Sequence, residues 1–137
     1  MTLICDTGPI YAALNRRDAN HDRCRDLLLD DPGPLVVPSP VLAEVCWLLE
    51  SRVGVDAEAA FLESVAAGEL VLAELLSADL VRMAELVRRY GDFPLGTADA
   101  SVIAVAERIG AVRVATLDRR HFLAVVPAHT DAFTLLP

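Results

Sequence analysis

Four acidic residues stand where the surrounding sequence offers no structural reason for a charge. Each interrupts or ends an apolar run, and the chain contains no lysine to pair with it. A carboxylate in apolar surroundings is unfavourable unless it is paired or binds a cation. The four residues are Asp6, Glu44, Asp99 and Asp118. Because hard divalent cations such as Mg²⁺ and Mn²⁺ prefer carboxylate and water ligands, this pattern indicates a metal site.

The chemistry open to such a site is metal-assisted hydrolysis. A metal held by carboxylates lowers the pKa of a bound water and neutralises charge that develops on a phosphodiester, so no nucleophilic side chain is needed. The three histidines, His21, His121 and His129, show no obvious partner spacing. An acid and base pair built from two of these histidines therefore stays open as an alternative.

The elements that must position these acids alternate along the chain between short apolar runs and helical patterns. Predicted strands lie at 3–5, 35–37, within 69–75, at 112–116 and, as an edge strand, at 133–136. Predicted helices cover 9–15, 21–30, 39–52, 56–67, a segment from 77 to about 89, and 97–109, with Ser39 and Asp56 as N-caps. Strands separated by helices indicate an α/β domain with a mainly parallel sheet and right-handed crossovers.

This architecture can bring the four acids together. Asp6 and Asp118 follow strands, Glu44 lies about one turn into a helix, and Asp99 lies in the first turn of another helix. In open parallel sheets, ligands bind beyond the carboxyl ends of the strands, towards which the helix N-termini also point. Taken singly, each acid has another interpretation, namely a helix cap, a charge favoured by a helix dipole, or an exposed position on an amphipathic helix.

Length and composition set further limits. The 137 residues fit one domain spanning 1–137, and no apolar run reaches the roughly 20 residues that a membrane span requires. The absence of a secretory signal pattern and the odd number of cysteines favour the cytoplasm, with the cysteines as buried free thiols. The net charge of −8 argues against broad attraction to nucleic acid, although the arginine pairs at 16–17, 88–89 and 119–120 could contact phosphates.

Four segments of the chain resemble the signature segments of PIN-domain ribonucleases, and in particular of VapC-type toxins from bacterial toxin–antitoxin pairs. They are LICDTGPIYAAL, PSPVLAEVCWLL, LGTADASVIAVAERIG and VATLDRRHF, in the right order and with suitable spacing. The resemblance implies a three-layer α/β/α fold and an endoribonuclease dependent on Mg²⁺ or Mn²⁺. It also implies that Asp6, Glu44, Asp99 and Asp118 are both the metal ligands and the catalytic residues.

Hydroxyl residues accompany the acids. Thr7 and Thr116 match positions where the family often has a small hydroxyl residue, while Thr97 and Ser101 flank Asp99. The sequence leaves open which of them assists.

The resemblance also implies partners. A cognate antitoxin is expected to lay an amphipathic segment on the helices at 39–52 and 56–67. The candidate anchors there are Trp47, Leu48, Leu49, Phe61 and Leu62. A homodimer is expected, with the helix that carries Leu80, Met83, Val87 and Arg88 in its interface. The expected substrate is a defined single-stranded loop in tRNA or rRNA, because unstacked bases can enter a recessed site.

Other classes of protein fit less well. A receiver-type signalling domain needs a lysine, which this chain lacks, and a haloacid-dehalogenase phosphatase needs an acid where Gly8 stands. A non-catalytic interaction module of the same fold would be recognised by loss of one of the four acids, and none is missing. A PIN nuclease working in RNA processing stays open as an alternative, which an adjacent antitoxin gene would decide.

Overall fold

The computed structural model describes all residues from 1 to 137 as five strands and seven helices. The strands are β1 Leu3–Cys5, β2 Leu35–Pro38, β3 Val71–Ala73, β4 Arg113–Ala115 and β5 Thr134–Leu136. The helices are α1 Thr7–Leu14, α2 His21–Asp30, α3 Ser39–Arg52, α4 Val55–Ala66, α5 Ser77–Arg89, α6 Thr97–Ile109 and α7 Arg119–Ala124.

The strands form one sheet in the order β3-β2-β1-β4-β5, and every neighbouring pair is parallel. From β1 the chain first proceeds to β2 and β3 on one side, and then crosses to β4 and β5 on the other side. Because crossovers between parallel strands are right-handed, the helices of these two halves cover opposite faces of the sheet. The predicted α/β/α architecture with a mainly parallel sheet is therefore confirmed, and the strand order reverses between β1 and β4.

Most element boundaries match the sequence pattern, and the differences have local causes. Helix α1 begins at Thr7 rather than Pro9, because a proline is tolerated within the first turn of a helix. The prediction of Ser39 as an N-cap is wrong. Pro38, the last residue of β2, occupies that position, and the Ser39 hydroxyl donates a hydrogen bond to the carbonyl of Ala73 on β3.

The helix that precedes β3 also begins differently from the prediction. Gly54, at a φ of 139°, is the N-cap of α4, so the prediction of Asp56 as the cap is wrong. Asp56 instead lies in the first turn, where its charge still interacts favourably with the helix dipole. Helix α7, at Arg119–Ala124, is not among the helices that the sequence predicts.

The core lies between the sheet and its helices, and α6 passes through its centre. All residues from Ala100 to Ala106 are buried, as expected for a helix that is apolar on every side. Gly110 ends α6 in the left-handed conformation, at a φ of 72°. Burial fixes α6 against the sheet, and this fixes its N-terminal turn beside the carboxyl ends of the strands.

The three cysteines are free thiols, and Cys5 and Cys24 are buried, whereas Cys46 is partly exposed. Burial, together with nearby carboxylates, raises the pKa of the Cys5 thiol to about 12, so this residue stays protonated within the core. None of the seven helices combines the length and the apolar character needed to cross a bilayer.

Candidate metal centre

All four predicted acids line one cleft at the carboxyl edge of the sheet, beside the point where the strand order reverses. The cleft has a volume of about 740 Å³. Its other lining residues are Thr7, Gly8, Leu48, Gly96, Thr97, Ala98 and Leu117. No arginine is among these residues, and the chain contains no lysine, so neither of these cationic side chains lines the cleft. Open α/β sheets bind their ligands at this position.

Asp6 lies deepest in the cleft. Its backbone N–H donates to the carbonyl of Ala115 at 2.9 Å, which joins it to β4, and the residue is only 5% exposed. Asp6 occupies the N-cap position of α1, but its side chain makes no capping hydrogen bond. Burial, reinforced by the negative charges of Asp99 and Glu44, raises the pKa of Asp6 to about 7. A cap would explain the residue type, but the side chain is turned to the cleft instead.

Thr116 connects two of the acids. Its hydroxyl Oγ1 donates to Asp6 Oδ2 at 2.9 Å and accepts the backbone N–H of Asp118 at 3.0 Å. Thr116 is buried, and its hydrogen bond to Asp6 is shielded from water, whereas the one from Asp118 is only partly buried. This hydroxyl therefore fixes the position of one carboxylate and the backbone of another.

Asp99 approaches from the opposite wall of the cleft. It lies in the first turn of α6, where the helix dipole favours a negative charge. Burial raises the pKa of Asp99, and the neighbouring His121 acts in the opposite direction. Of the two hydroxyl residues that flank Asp99, Thr97 lines the cleft, whereas Ser101 is buried and donates to the carbonyl of Ala98 within α6. The structure therefore brings Thr97 to the site and leaves Ser101 in the helix.

His121, whose role the sequence left open, also belongs to the site. Its Nδ1 lies 2.9 Å from Asp99 Oδ2 and 2.7 Å from Asp118 Oδ2. The view that no histidine has a partner spacing is therefore wrong for His121, because it follows Asp118 by one turn across the start of α7. The Phe93 ring packs edge-on against the imidazole, with ring centroids 5.4 Å apart.

The remaining acids are more open than the sequence suggested. Each of the four acids interrupts or ends an apolar run in the sequence, but Glu44 is exposed and the Asp118 side chain is 45% exposed. Both residues line the cleft from its mouth, on α3 and at the N-cap of α7, respectively. The Asp118 side chain makes no capping hydrogen bond. Only Asp6 and Asp99 carry a substantial desolvation cost, so they define the floor of the site.

The donor set fits a divalent cation. One ligand atom from each of Asp99, Asp118 and His121 lies within 4.8 Å of the others. Thr7 provides a further sign, because its hydroxyl is buried without any hydrogen-bond partner, and Thr7 lines the same cleft. A buried polar atom without a partner is rare, and a hydrated cation in the cleft would give it one. The residues present therefore fit the metal that the sequence predicted.

Several arginine side chains lie outside the cleft. Arg119 and Arg120 are exposed at the start of α7, directly after Asp118, and Arg120 lies over the Phe93 ring at 5.0 Å. Arg88 shares a small depression on α5 with Thr97, which also lines the cleft. The pair at 16–17 follows the C-terminus of α1, about 12 Å along that helix from the cleft.

An apolar groove of about 410 Å³ lies elsewhere, between α1, α2 and α4. Its wall is mainly hydrophobic and includes Leu14, Leu28, Leu29, Ala60 and Phe61, with Arg25 and Glu69 at its polar positions. Of the residues predicted as anchors for an antitoxin, only Phe61 lines this groove.

Four of those residues, Trp47, Leu48, Leu49 and Leu62, lie away from the groove. Leu49 is buried in the core, Leu48 lines the acidic cleft, and Trp47 is 64% exposed outside the groove. The groove therefore lies on α1, α2 and α4, rather than on α3 and α4.

A family model described as PIN domain matches residues 3–126. The chain is similar to Ribonuclease VapC26 of Mycobacterium tuberculosis (strain ATCC 25618 / H37Rv). The two are 36% identical over 135 residues, which cover 98% of this chain and 100% of the relative. The resemblance inferred from four sequence segments is confirmed by these matches.

Solved structures give the same fold. VapC20 of Mycobacterium tuberculosis, described as a toxin that cleaves the Sarcin-Ricin loop, superimposes with a TM-score of 0.77 and 22% identity, covering 82% of this chain and 86% of that one. VapBC2 from Rickettsia felis, bound to a DNA fragment from its promoter, gives a TM-score of 0.67 and 14% identity, covering all of both chains. FitAcB from Neisseria gonorrhoeae gives a TM-score of 0.67 and 15% identity, covering 98% of this chain and 96% of that one.

Proposed function

This chain belongs to the PIN-domain family, and we propose that it is an endoribonuclease that uses a divalent metal and acts as the toxin of a toxin–antitoxin pair. The observation that carries the proposal is the convergence of four carboxylates in one cleft at the switch point of the sheet. Two of them occupy capping positions without capping their helices. Neither fold stability nor helix capping accounts for that arrangement, whereas binding of a cation does.

The metal of the proposal is Mg²⁺ or Mn²⁺, held by Asp6, Glu44, Asp99 and Asp118. Such a cation supplies an activated water and neutralises charge on the phosphodiester. The protein residues have complementary tasks. Thr116 holds Asp6 and Asp118 in register, and the burial of Asp6 keeps bulk water from competing for its carboxylate.

RNA is attracted to the mouth of the cleft rather than to the whole molecule. The net charge of −8 gives no general affinity for nucleic acid, so the exposed Arg119 and Arg120 beside the cleft are the proposed phosphate contacts. Arg120 over Phe93 also offers a flat surface on which an unpaired base can stack. The proposed substrate is a single-stranded loop of tRNA or rRNA, because a recessed site excludes duplex.

The proposed protein partners use other surfaces. A cognate antitoxin places an apolar segment in the groove between α1, α2 and α4, where Leu29 is 74% exposed. A homodimer uses the exposed side of α5, on which Leu80 and Val87 border a small apolar depression. We place the protein in the cytoplasm, where its free thiols remain reduced.

The test is cleavage of RNA by the purified chain with Mn²⁺ or Mg²⁺, followed by mapping of the new 5′ ends. The wild type is expected to cut at a defined loop, and EDTA abolishes the cuts. Each substitution by alanine of one of the four acids lowers the rate by at least about 10²-fold, because ligands of one metal site act as a unit. Cleavage that persists in EDTA, or that survives Asp99→Ala, would refute the proposal.

A further inference from the structure

We infer that His121 is itself a metal ligand, through Nδ1, and that it makes the site prefer Mn²⁺ to Mg²⁺. The inference depends on the proposed function, because it concerns the same metal site, and it extends that site beyond the four acids. It assigns a nitrogen donor to a centre that the sequence predicts to be made only of oxygen.

The geometry around Nδ1 is nearly that of a metal's coordination shell. Nδ1 lies 2.9 Å from Asp99 Oδ2 and 2.7 Å from Asp118 Oδ2. Adjacent ligand atoms around an octahedral ion with bonds of about 2.1 Å are about 3.0 Å apart. The two distances from Nδ1 therefore need to lengthen by only a few tenths of an ångström, and the ligand atoms of Asp99 and Asp118 lie within 4.8 Å of each other.

Hydrogen bonding explains this cluster less completely than a metal does. A ring nitrogen carries at most one hydrogen, and that hydrogen points in one direction, yet Nδ1 has two carboxylate oxygens within hydrogen-bonding distance. A single hydrogen on Nδ1 can therefore bond well to only one of the two carboxylate oxygens. A divalent cation between the three atoms would satisfy both carboxylates and the nitrogen lone pair together.

The histidine is also held in place. Phe93 packs against the ring at 65° between the ring planes, and His121 lies in α7, whose N-cap is Asp118. A second donor points to an ion in the same cleft, because the buried hydroxyl of Thr7 has no hydrogen-bond partner and Thr7 lines the cleft together with Asp99 and Asp118. Preformed ligands lose little freedom when the metal binds.

The nature of the donors determines which metal is favoured. Mg²⁺ strongly prefers oxygen and keeps much of its water, whereas Mn²⁺, which also takes mainly oxygen ligands, accepts an imidazole nitrogen more readily than Mg²⁺ does. Of the two metals proposed for this site, Mn²⁺ therefore gains more from His121. The competing explanation is that His121 only balances the acids in the metal-free protein and moves aside when the cation binds.

Pulsed EPR of Mn²⁺ bound to the full chain distinguishes the two explanations without any activity measurement. A directly bound imidazole gives nitrogen modulation in the wild-type spectrum, and this signal is expected. The signal should vanish in His121→Asp. It should persist in His21→Gln, because the His21 ring of the wild type contacts the carbonyl of Ala12, away from the cleft. By calorimetry, His121→Asp should lower the ratio of Mn²⁺ to Mg²⁺ affinity by at least about tenfold.

The wild-type spectrum alone decides the matter if the variants fold poorly. Bound Mn²⁺ without nitrogen modulation would overturn the inference and leave the proposed function intact. If no Mn²⁺ binds at millimolar concentration, both the inference and the proposed metal site fail.

Discussion

Replacing Asp6 by asparagine should stabilise the metal-free protein, and the gain should grow with pH. Burial and the charges of Asp99 and Glu44 raise the pKa of Asp6 from 3.8 to about 7. The folded state therefore binds the proton more tightly than the unfolded state does. The stability that protonated Asp6 contributes to the folded state is fully present below about pH 4, and it is lost as the pH rises through about 7.

The shift gives the size of the effect. At about 1.36 kcal/mol per pKa unit, ionising Asp6 in the folded protein costs about 4 kcal/mol in all. About 2 to 3 kcal/mol of this cost falls between pH 5 and pH 8. The asparagine that replaces Asp6 would be neutral at both pH values and has nearly the shape of the protonated acid. Its side-chain carbonyl oxygen could still accept the Thr116 hydroxyl.

The assay is urea denaturation followed by circular dichroism in EDTA, at one protein concentration. The stability of Asp6→Asn relative to the wild type should rise by about 2 to 3 kcal/mol between pH 5 and pH 8, equivalent to roughly 5–10 °C in melting temperature. Asp30→Asn, at the exposed end of α2, is the control and should change stability by less than about 0.5 kcal/mol at either pH.

Adding Mn²⁺ should reduce the stability advantage of Asp6→Asn over the wild type. At a concentration 100 times its Kd, a metal that binds only the folded state adds about 2.7 kcal/mol to the wild type and less to the variant. The stability difference between Asp6→Asn and the wild type should not be the same at pH 5 and pH 8. If it is the same, the Asp6 carboxylate is not destabilised in this cleft.

Three further substitutions test separate parts of the molecule. Thr116→Val keeps the side-chain shape but removes the hydroxyl between Asp6 and Asp118, and should slow RNA cleavage by about 10- to 100-fold in a gel assay with little change in circular dichroism. Leu29→Asp in the apolar groove should weaken antitoxin binding by at least about tenfold in surface plasmon resonance. Val126→Asp, at a position that is also well exposed but lies outside the groove, should leave that affinity unchanged. Leu80→Glu on α5 should yield monomers in analytical ultracentrifugation if α5 forms the dimer interface; an unaltered dimer would exclude this face.

The convergence of the acids could be predicted because it depends on local pattern and topology alone. Periodicity and glycine stops place α2, α3 and α6 within the chain, and a parallel sheet brings strand ends and helix starts to one edge. Asp6, Glu44 and Asp99 were therefore located by rules that need no knowledge of side-chain packing. Their different burial was not predictable, because it depends on how far each helix start projects into the cleft.

The position of His121 and the groove depend on tertiary packing. His121 meets Asp99 only because α7 packs beside the start of α6, and the two residues are 22 positions apart. The spacing of Asp118 and His121 was a usable signal, since side chains three residues apart meet at a helix start. Likewise, Phe61 looked like an exposed anchor, but the contact of α4 with the core buries it.

The central position of β1 determines when the cleft can exist during synthesis. The hydrogen bond between Asp6 and Thr116 joins residues 110 positions apart, and β1 needs both β2 and β4 as neighbours. A ribosome that adds about 5–20 residues per second takes about 5 to 20 s to make that stretch. Throughout this interval the nascent chain carries Asp6 beside an unfinished sheet edge and has no Asp118. The chain therefore cannot attack RNA while most of it is being made, and its α1, α2 and α4 surfaces emerge before its acidic cleft is complete.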